Sequence, residues 1–108
     1  MTDEDKFELV LHAGNAESSA LMAMEAAREG RMAEARRLKG DADGELSVAH
    51  RLQTEMLSRA ASGGGGEVDI LLVHAQDHLS MASVLATVAA ELIALREEIQ
   101  MQGTYSTK

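Results

Sequence analysis

The chain has 108 residues, enough for one domain, and residues 1–108 are read as a single unit. It has no Cys, Trp or Pro and a formal net charge of −8. Lack of Cys excludes a disulfide scaffold and a thiolate metal site, and the acidic balance argues against nucleic acid or anionic lipid as partners, since both need cationic surface. Ala, Leu, Met, Glu and Arg dominate, which favours helix. With one Phe and one Tyr, the core must be aliphatic and Met-filled. The first residues, Met1-Thr2-Asp3-Glu4-Asp5, are acidic where a secretory signal would be basic and then apolar. No apolar run is expected to reach membrane-span length without interruption by His74, Asp77 and His78. A cytoplasmic, soluble chain without direct membrane insertion is the expectation.

Thr2 is placed to cap a first helix, with Asp3, Glu4 and Asp5 in the turn where acidic groups meet the helix dipole favourably. That helix should run to about Glu29, with Phe7, Val10, Leu11, Leu21 and Met24 as its apolar face and Gly30 as its C-terminal glycine. Gly14 interrupts the pattern, either as a tolerated small residue or as a place for close helix approach. A second helix is predicted from near Arg31 to about Ala61. Leu38, Ala42, Leu46, Ala49, Leu52 and Met56 recur on it at helical spacing. Gly40 is a candidate bend. Arg36, Arg37 and Lys39 are read as a solvated face. Ser62-Gly63-Gly64-Gly65-Gly66 is a flexible connection and not a phosphate loop, because no Gly-Lys-Ser/Thr follows.

A third helix is expected from about Glu67 to Met101, with a frayed polar tail after it. At about 100° per residue, Ile70, Val73, Asp77, Met81, Val84, Val88, Leu95 and Ile99 fall near one line. Leu71, Ala75, Leu79, Ala82, Ala86, Ala89 and Ile93 cover another side. One side can pack on the first two helices, so the Asp77 line needs a second partner, and the only candidate is another subunit. The expected fold is therefore all-α, an antiparallel three-helix bundle with a long C-terminal helix, assembled as an oligomer whose stoichiometry the pattern leaves open.

Chemistry concentrates on the same helix. A carboxylate on an apolar stripe costs several kcal/mol unless it is paired, protonated or metal-bound. His74 stands one turn before Asp77, and His78 follows His74 by four residues, so both rings lie near one face. An anonymous helical His is more often structural than nucleophilic. His74, Asp77 and His78 also have the types, though not the full ligand count, of a zinc site. His12 and His50 are read as structural or solvated.

The segment Leu72-Val73-His74-Ala75-Gln76-Asp77-His78-Leu79 resembles the signature of the lactose/cellobiose-type enzyme IIA of the bacterial phosphoenolpyruvate-dependent sugar phosphotransferase system. The likeness extends to Ala90-Glu91-Leu92-Ile93-Ala94-Leu95, Ala49-His50-Arg51-Leu52-Gln53-Thr54 and, more faintly, Ala13-Gly14-Asn15-Ala16 with the Glu29-Gly30 turn. Ser80-Met81 departs from it, Met being expected directly after Leu79. The resemblance implies a homotrimer with three such helices around its axis. It implies that His74 is the phosphorylated histidine, fed by the phosphocarrier HPr and emptied onto a cysteine of a sugar-specific IIB subunit, with a β-linked disaccharide as cargo. It implies a divalent cation, Mg in type, held on the axis by one Asp77 from each subunit; shared protons among the carboxylates are the alternative. His78 and Gln76 are candidate supporting residues. A non-catalytic helical scaffold or adaptor, and a metal-binding bundle, are the competing readings.

Overall fold

The structure, a computed structural model, describes residues 2–63 and 69–106, the side chains of 104–106 excepted. Its helices are α1 (Asp3–Arg28), α2 (Met32–Ala61) and α3 (Ile70–Ser106), and no strand occurs among the described residues. Gly64, Gly65, Gly66 and the expected helix start at Glu67 lie outside the described residues, as do Thr107 and Lys108. Helix α3 continues to Ser106, past the end expected at Met101 and into the polar tail of residues 103–108 expected to fray.

Local signals set the ends. Thr2 caps α1 in a reciprocal box: the Asp5 amide donates to Thr2 Oγ1 at 3.1 Å, and the Thr2 amide donates to Asp5 Oδ2 at 3.0 Å. Those bonds from Thr2 hold the Asp5 carboxyl below the usual carboxylate range. Gly30 ends α1 with φ +81°, and the Arg31 amide reaches back to the Ala26 carbonyl at 2.9 Å. The positive φ is what calls for glycine here; a Cβ would also come within 3.0 Å of Arg96 Nη2, the movable end of a long side chain. Helix α2 runs without interruption through Gly40 and Gly44. A Cβ on Gly14 would meet nothing within 4 Å among the described residues, so no close helix approach explains it.

Cross-helix bonds give the topology. Lys6 meets Asp69, Glu17 meets His78 and Gly30 meets Gln100, so α1 and α3 run the same way. Asp5 meets Arg59 and His12 meets Glu45, while Gln53 meets Gln76 and Arg36 meets Glu97, so α2 runs against both. The bundle is a rod of 65 × 20 × 18 Å. Arg36, Arg37 and Lys39 are engaged by Glu97, Glu34 with Asp41, and Asp43, which is the solvated face expected of them.

The core is a seam of small residues. Helix α1 buries Leu9, Ala13, Ala16, Ala20, Ala23 and Ala27, in alternating steps of four and three. Helix α3 buries Ala75, Leu79, Ala82, Ala86, Ala89 and Ile93 in the same rhythm, and α2 adds Ala35, Leu38, Ala42, Leu46 and Ala49. This corrects the apolar face expected on α1. Phe7, Leu11 and Leu21 are 62%, 56% and 54% exposed, and Val10 and Met24 only flank the core. The physical reason is that alanine loses no side-chain entropy on burial and lets helix axes come close, which turns larger neighbours out to the rim.

By length and composition α3 is apolar enough to cross a membrane, an 18-residue stretch within Ile70–Gly103 having mean hydropathy 1.7. The expectation that no apolar run reaches that length is thereby corrected: His74, Asp77 and His78 break the start of the run, but the residues after His78 reach span length on their own. One face of α3 is nonetheless fully enclosed by α1 and α2. Its opposite face is the Asp77 line, and there Ile70, Val73, Met81, Val84, Val88, Leu95 and Ile99 are all exposed.

Asp69 fixes where α3 begins. Its Oδ1 accepts the Leu72 amide at 2.8 Å, and its Oδ2 accepts Lys6 Nζ at 2.7 Å. Lys6 is the one buried charged residue among those described, at 7% exposure. The Lys6 bond first, then the Leu72 amide, hold the Asp69 carboxyl below its ordinary range, and Asp69 raises Lys6 in turn. A carboxyl depressed on folding stabilises the native state above its unfolded value of about 3.9, and that contribution is lost as pH falls through the lower native value. Asp69→Asn should therefore lower the melting temperature at neutral pH, and the gap from the parent protein should close as both are titrated below about pH 4. Thermal melts across that range check it. Leu9, the largest fully enclosed side chain, tests the seam: Leu9→Ala should cost about 2–5 kcal/mol in urea unfolding.

Candidate functional site

The candidate residues lie in the first two and a half turns of α3, just after the Asp69 cap, where the backbone is pinned to α1. His74 is exposed. Together with Asp69, Ile70, Val73 and Asp77 it lines a shallow, open hollow of about 530 Å³. The hollow's walls are apolar except for the imidazole and two carboxylates, of which Asp69 is already engaged by Lys6 and Leu72.

His78 stands behind His74. The two rings meet edge to face, with centroids 4.5 Å apart and planes at 88°. On its other side His78 Nδ1 is 2.5 Å from Glu17 Oε1 of α1. Both partners are mostly shielded, with side chains 25% and 19% exposed. The i, i+4 spacing on a helix brings the rings together, and the parallel register of α1 and α3 brings the carboxylate.

Gln76 is not gathered into this group. Its Oε1 accepts Gln53 Nε2 at 2.8 Å, and its Nε2 points to Met56 Sδ at 3.6 Å, so both polar atoms are turned to α2. Asp77 is exposed beside His74 on the apolar line and has no hydrogen-bond or ion-pair partner among the described residues. Among the described residues no cluster of three His, Asp or Glu side chains is placed to hold a metal ion within one chain. The zinc reading of His74, Asp77 and His78 is thereby corrected: His78 is turned to Glu17 and bonded to it. His12 is bonded to Glu45 and His50 contacts Ser83 Oγ at 3.4 Å, as befits structural side chains.

Glu17 is the residue that sequence reasoning missed. It sits 61 positions from His78, on a helix whose own pattern gives no hint of a histidine partner. Only a register for α1 against α3 could have found it.

The arrangement offers a reachable imidazole on a rigid helix, a second imidazole held beside it, and an open hollow in place of an enclosed substrate cavity. A site of this shape suits a group passed between macromolecules better than turnover of a bound metabolite. Comparison with known proteins agrees. Residues 4–97 match the family model described as the lactose/cellobiose-specific IIA subunit of the phosphotransferase system. The lichenan-specific phosphotransferase enzyme IIA component of Bacillus subtilis (strain 168) is 47% identical over 96 residues, covering 89% of this chain and 87% of that protein. The crystal structure of the cellobiose-specific enzyme IIA from Bacillus anthracis superposes with a TM-score of 0.88 at 38% identity, covering 94% of both chains. IIA(chitobiose), solved in complex with HPr from the N,N′-diacetylchitobiose branch of the Escherichia coli phosphotransferase system, superposes with a TM-score of 0.76 at 32% identity, covering 90% of this chain and 94% of that one.

Proposed function

Since this chain belongs to the lactose/cellobiose-specific IIA family of the sugar phosphotransferase system, we propose that it works as that system's phosphocarrier through His74. The observation that carries the assignment is the exposed His74 ring, open to an approaching protein one turn inside a capped helix. HPr is the donor and a sugar-specific IIB subunit the acceptor. The ring nitrogen of His74 attacks the phosphorus of the donor's phosphohistidine. A new N–P bond forms as the donor's N–P bond breaks, and the phosphoryl group moves with no change in oxidation state. The second transfer repeats this with a cysteine sulfur of IIB as nucleophile. Imidazole suits the task because its neutral form has a free lone pair near pH 7, and phosphoryl transfer asks the protein chiefly for alignment. The cargo is a β-linked disaccharide, in keeping with the lichenan, cellobiose and N,N′-diacetylchitobiose in the relatives' names. The chain acts in the cytoplasm, where its donor is charged.

The exposed Asp77 line belongs to a homotrimer in which three α3 helices face one another. Several large apolar side chains in a row along one helix face, Ile70 being 87% exposed, are more than a solvated surface explains. Asp77 lies in that row without a partner among the described residues, and one carboxylate cannot hold a divalent ion. Three together supply the hard oxygen donors that Mg or Ca takes. Such a cation would cancel carboxylate repulsion and so hold the subunits; it has no part in the transfer.

Incubation with phosphoenolpyruvate, enzyme I and HPr should add one phosphate per chain, labile in acid and stable in alkali. His74→Ala should abolish it while leaving the helical circular dichroism unchanged; a labelled His74→Ala protein would overturn the assignment. Light scattering should report a trimer that weakens both on chelation and in Asp77→Leu. A trimer indifferent to chelator and tightened by Asp77→Leu would instead mean protonated or strained carboxylates with no cation.

A further inference from the structure

We propose that Glu17 is a positioning residue for phosphoryl transfer: from α1 it selects the tautomer of His78 and aims that ring at His74. The inference rests on the phosphocarrier reading of His74 and adds to it a residue outside the signature helix.

The geometry runs in one line across two helices. An ionised carboxylate only accepts hydrogen bonds, so the hydrogen in the 2.5 Å contact between Glu17 Oε1 and His78 Nδ1 belongs to the histidine. That commits Nδ1 to Glu17. Nε2 is then the nitrogen of His78 left for anything arriving at His74, whose ring lies 4.5 Å away by centroid. A histidine held by one nitrogen presents the other in a set direction, as with the outer partners that orient metal-ligating imidazoles. Without Glu17 the ring could turn about its side-chain torsions or take the other tautomer, and a transferred phosphoryl group would meet either nitrogen.

The bond to His78 is the one interaction of the Glu17 carboxylate among the described residues. Its side chain is 19% exposed, yet among the described residues its carboxylate bonds neither a lysine nor an arginine, although α1 and α2 carry several. A carboxylate near an incoming phosphoryl anion is unfavourable on its own. Bonded to His78, its negative charge is directed at the ring rather than at the substrate.

The test uses the full-length protein with enzyme I, HPr and phosphoenolpyruvate, and compares Glu17→Leu, Glu17→Gln and Glu17→Asp with the parent. Long-range ¹H–¹⁵N spectra should show His78 with its hydrogen on Nδ1 in the parent and shifted toward the Nε2–H form in Glu17→Leu. The initial rate of His74 phosphorylation should fall on the order of tenfold in Glu17→Leu, the scale of lost outer-partner bonds. Glu17→Gln, which keeps an acceptor, and Glu17→Asp, which keeps the charge, should each recover part of the rate. Melting temperatures should change little across the series. Parental rates in Glu17→Leu together with an unchanged His78 spectrum would overturn the proposal. So would a rate loss that follows melting temperature and is not recovered by Gln or Asp. A parent protein that takes no phosphate at all would be a failure of the phosphocarrier reading, and is told apart from these.

Discussion

Everything in this bundle depends on the alanine seam between α1 and α3. Ala13, Ala16, Ala20, Ala23 and Ala27 face Ala75, Ala82, Ala86 and Ala89 with Leu9, Leu79 and Ile93 among them. Small side chains at nearly every inward position mean that close approach of the backbones, more than the area of any one residue, supplies the packing. The consequence is asymmetry. A seam this narrow can use only one face of α3, so the larger apolar residues of that helix are left on the opposite face. That open face is the surface on which the proposed trimer contact rests.

The candidate site takes its rigidity from that seam and its direction from three polar ties. Asp69 closes the first turn of α3 and binds it to Lys6. Gln76 is tied to Gln53 of α2. His78 is tied to Glu17 of α1. Each tie joins α3 to another helix within two turns of His74, whose own ring is exposed and touches the His78 ring edge to face. The role proposed for His74, meeting two different proteins in turn, is served by this division: the frame around the ring is held and the ring itself is free to be approached.

Charge follows the same plan. The exposed ion pairs of Arg36, Arg37 and Lys39 are surface pairs of the kind that contribute little to stability. Lys6 with Asp69 differs because the ammonium is buried and shares its carboxylate with a helix cap. Acid weakens the start of α3 for that reason, at the end of the helix that carries His74.

Much of this was legible in the chain alone. Helix ends followed from Thr2 and Gly30, whose side-chain and backbone requirements act over a few residues. The buried side of α3 and the seam of α2 followed from spacing, and the octapeptide around His74 pointed to phosphoryl transfer. The apolar face of α1 did not follow, because hydrophobicity ranks Phe7, Leu11 and Leu21 above alanine while close packing ranks them below it. The partner of His78 did not follow either, nor the turning of Gln76 toward α2. Local chemistry sets caps and periodicity within one helix, so the sequence by itself determined the helices and singled out the histidine on which the proposal rests. Which residues meet across helices depends on register and axial distance between segments far apart in the chain, and only the tertiary structure decided those.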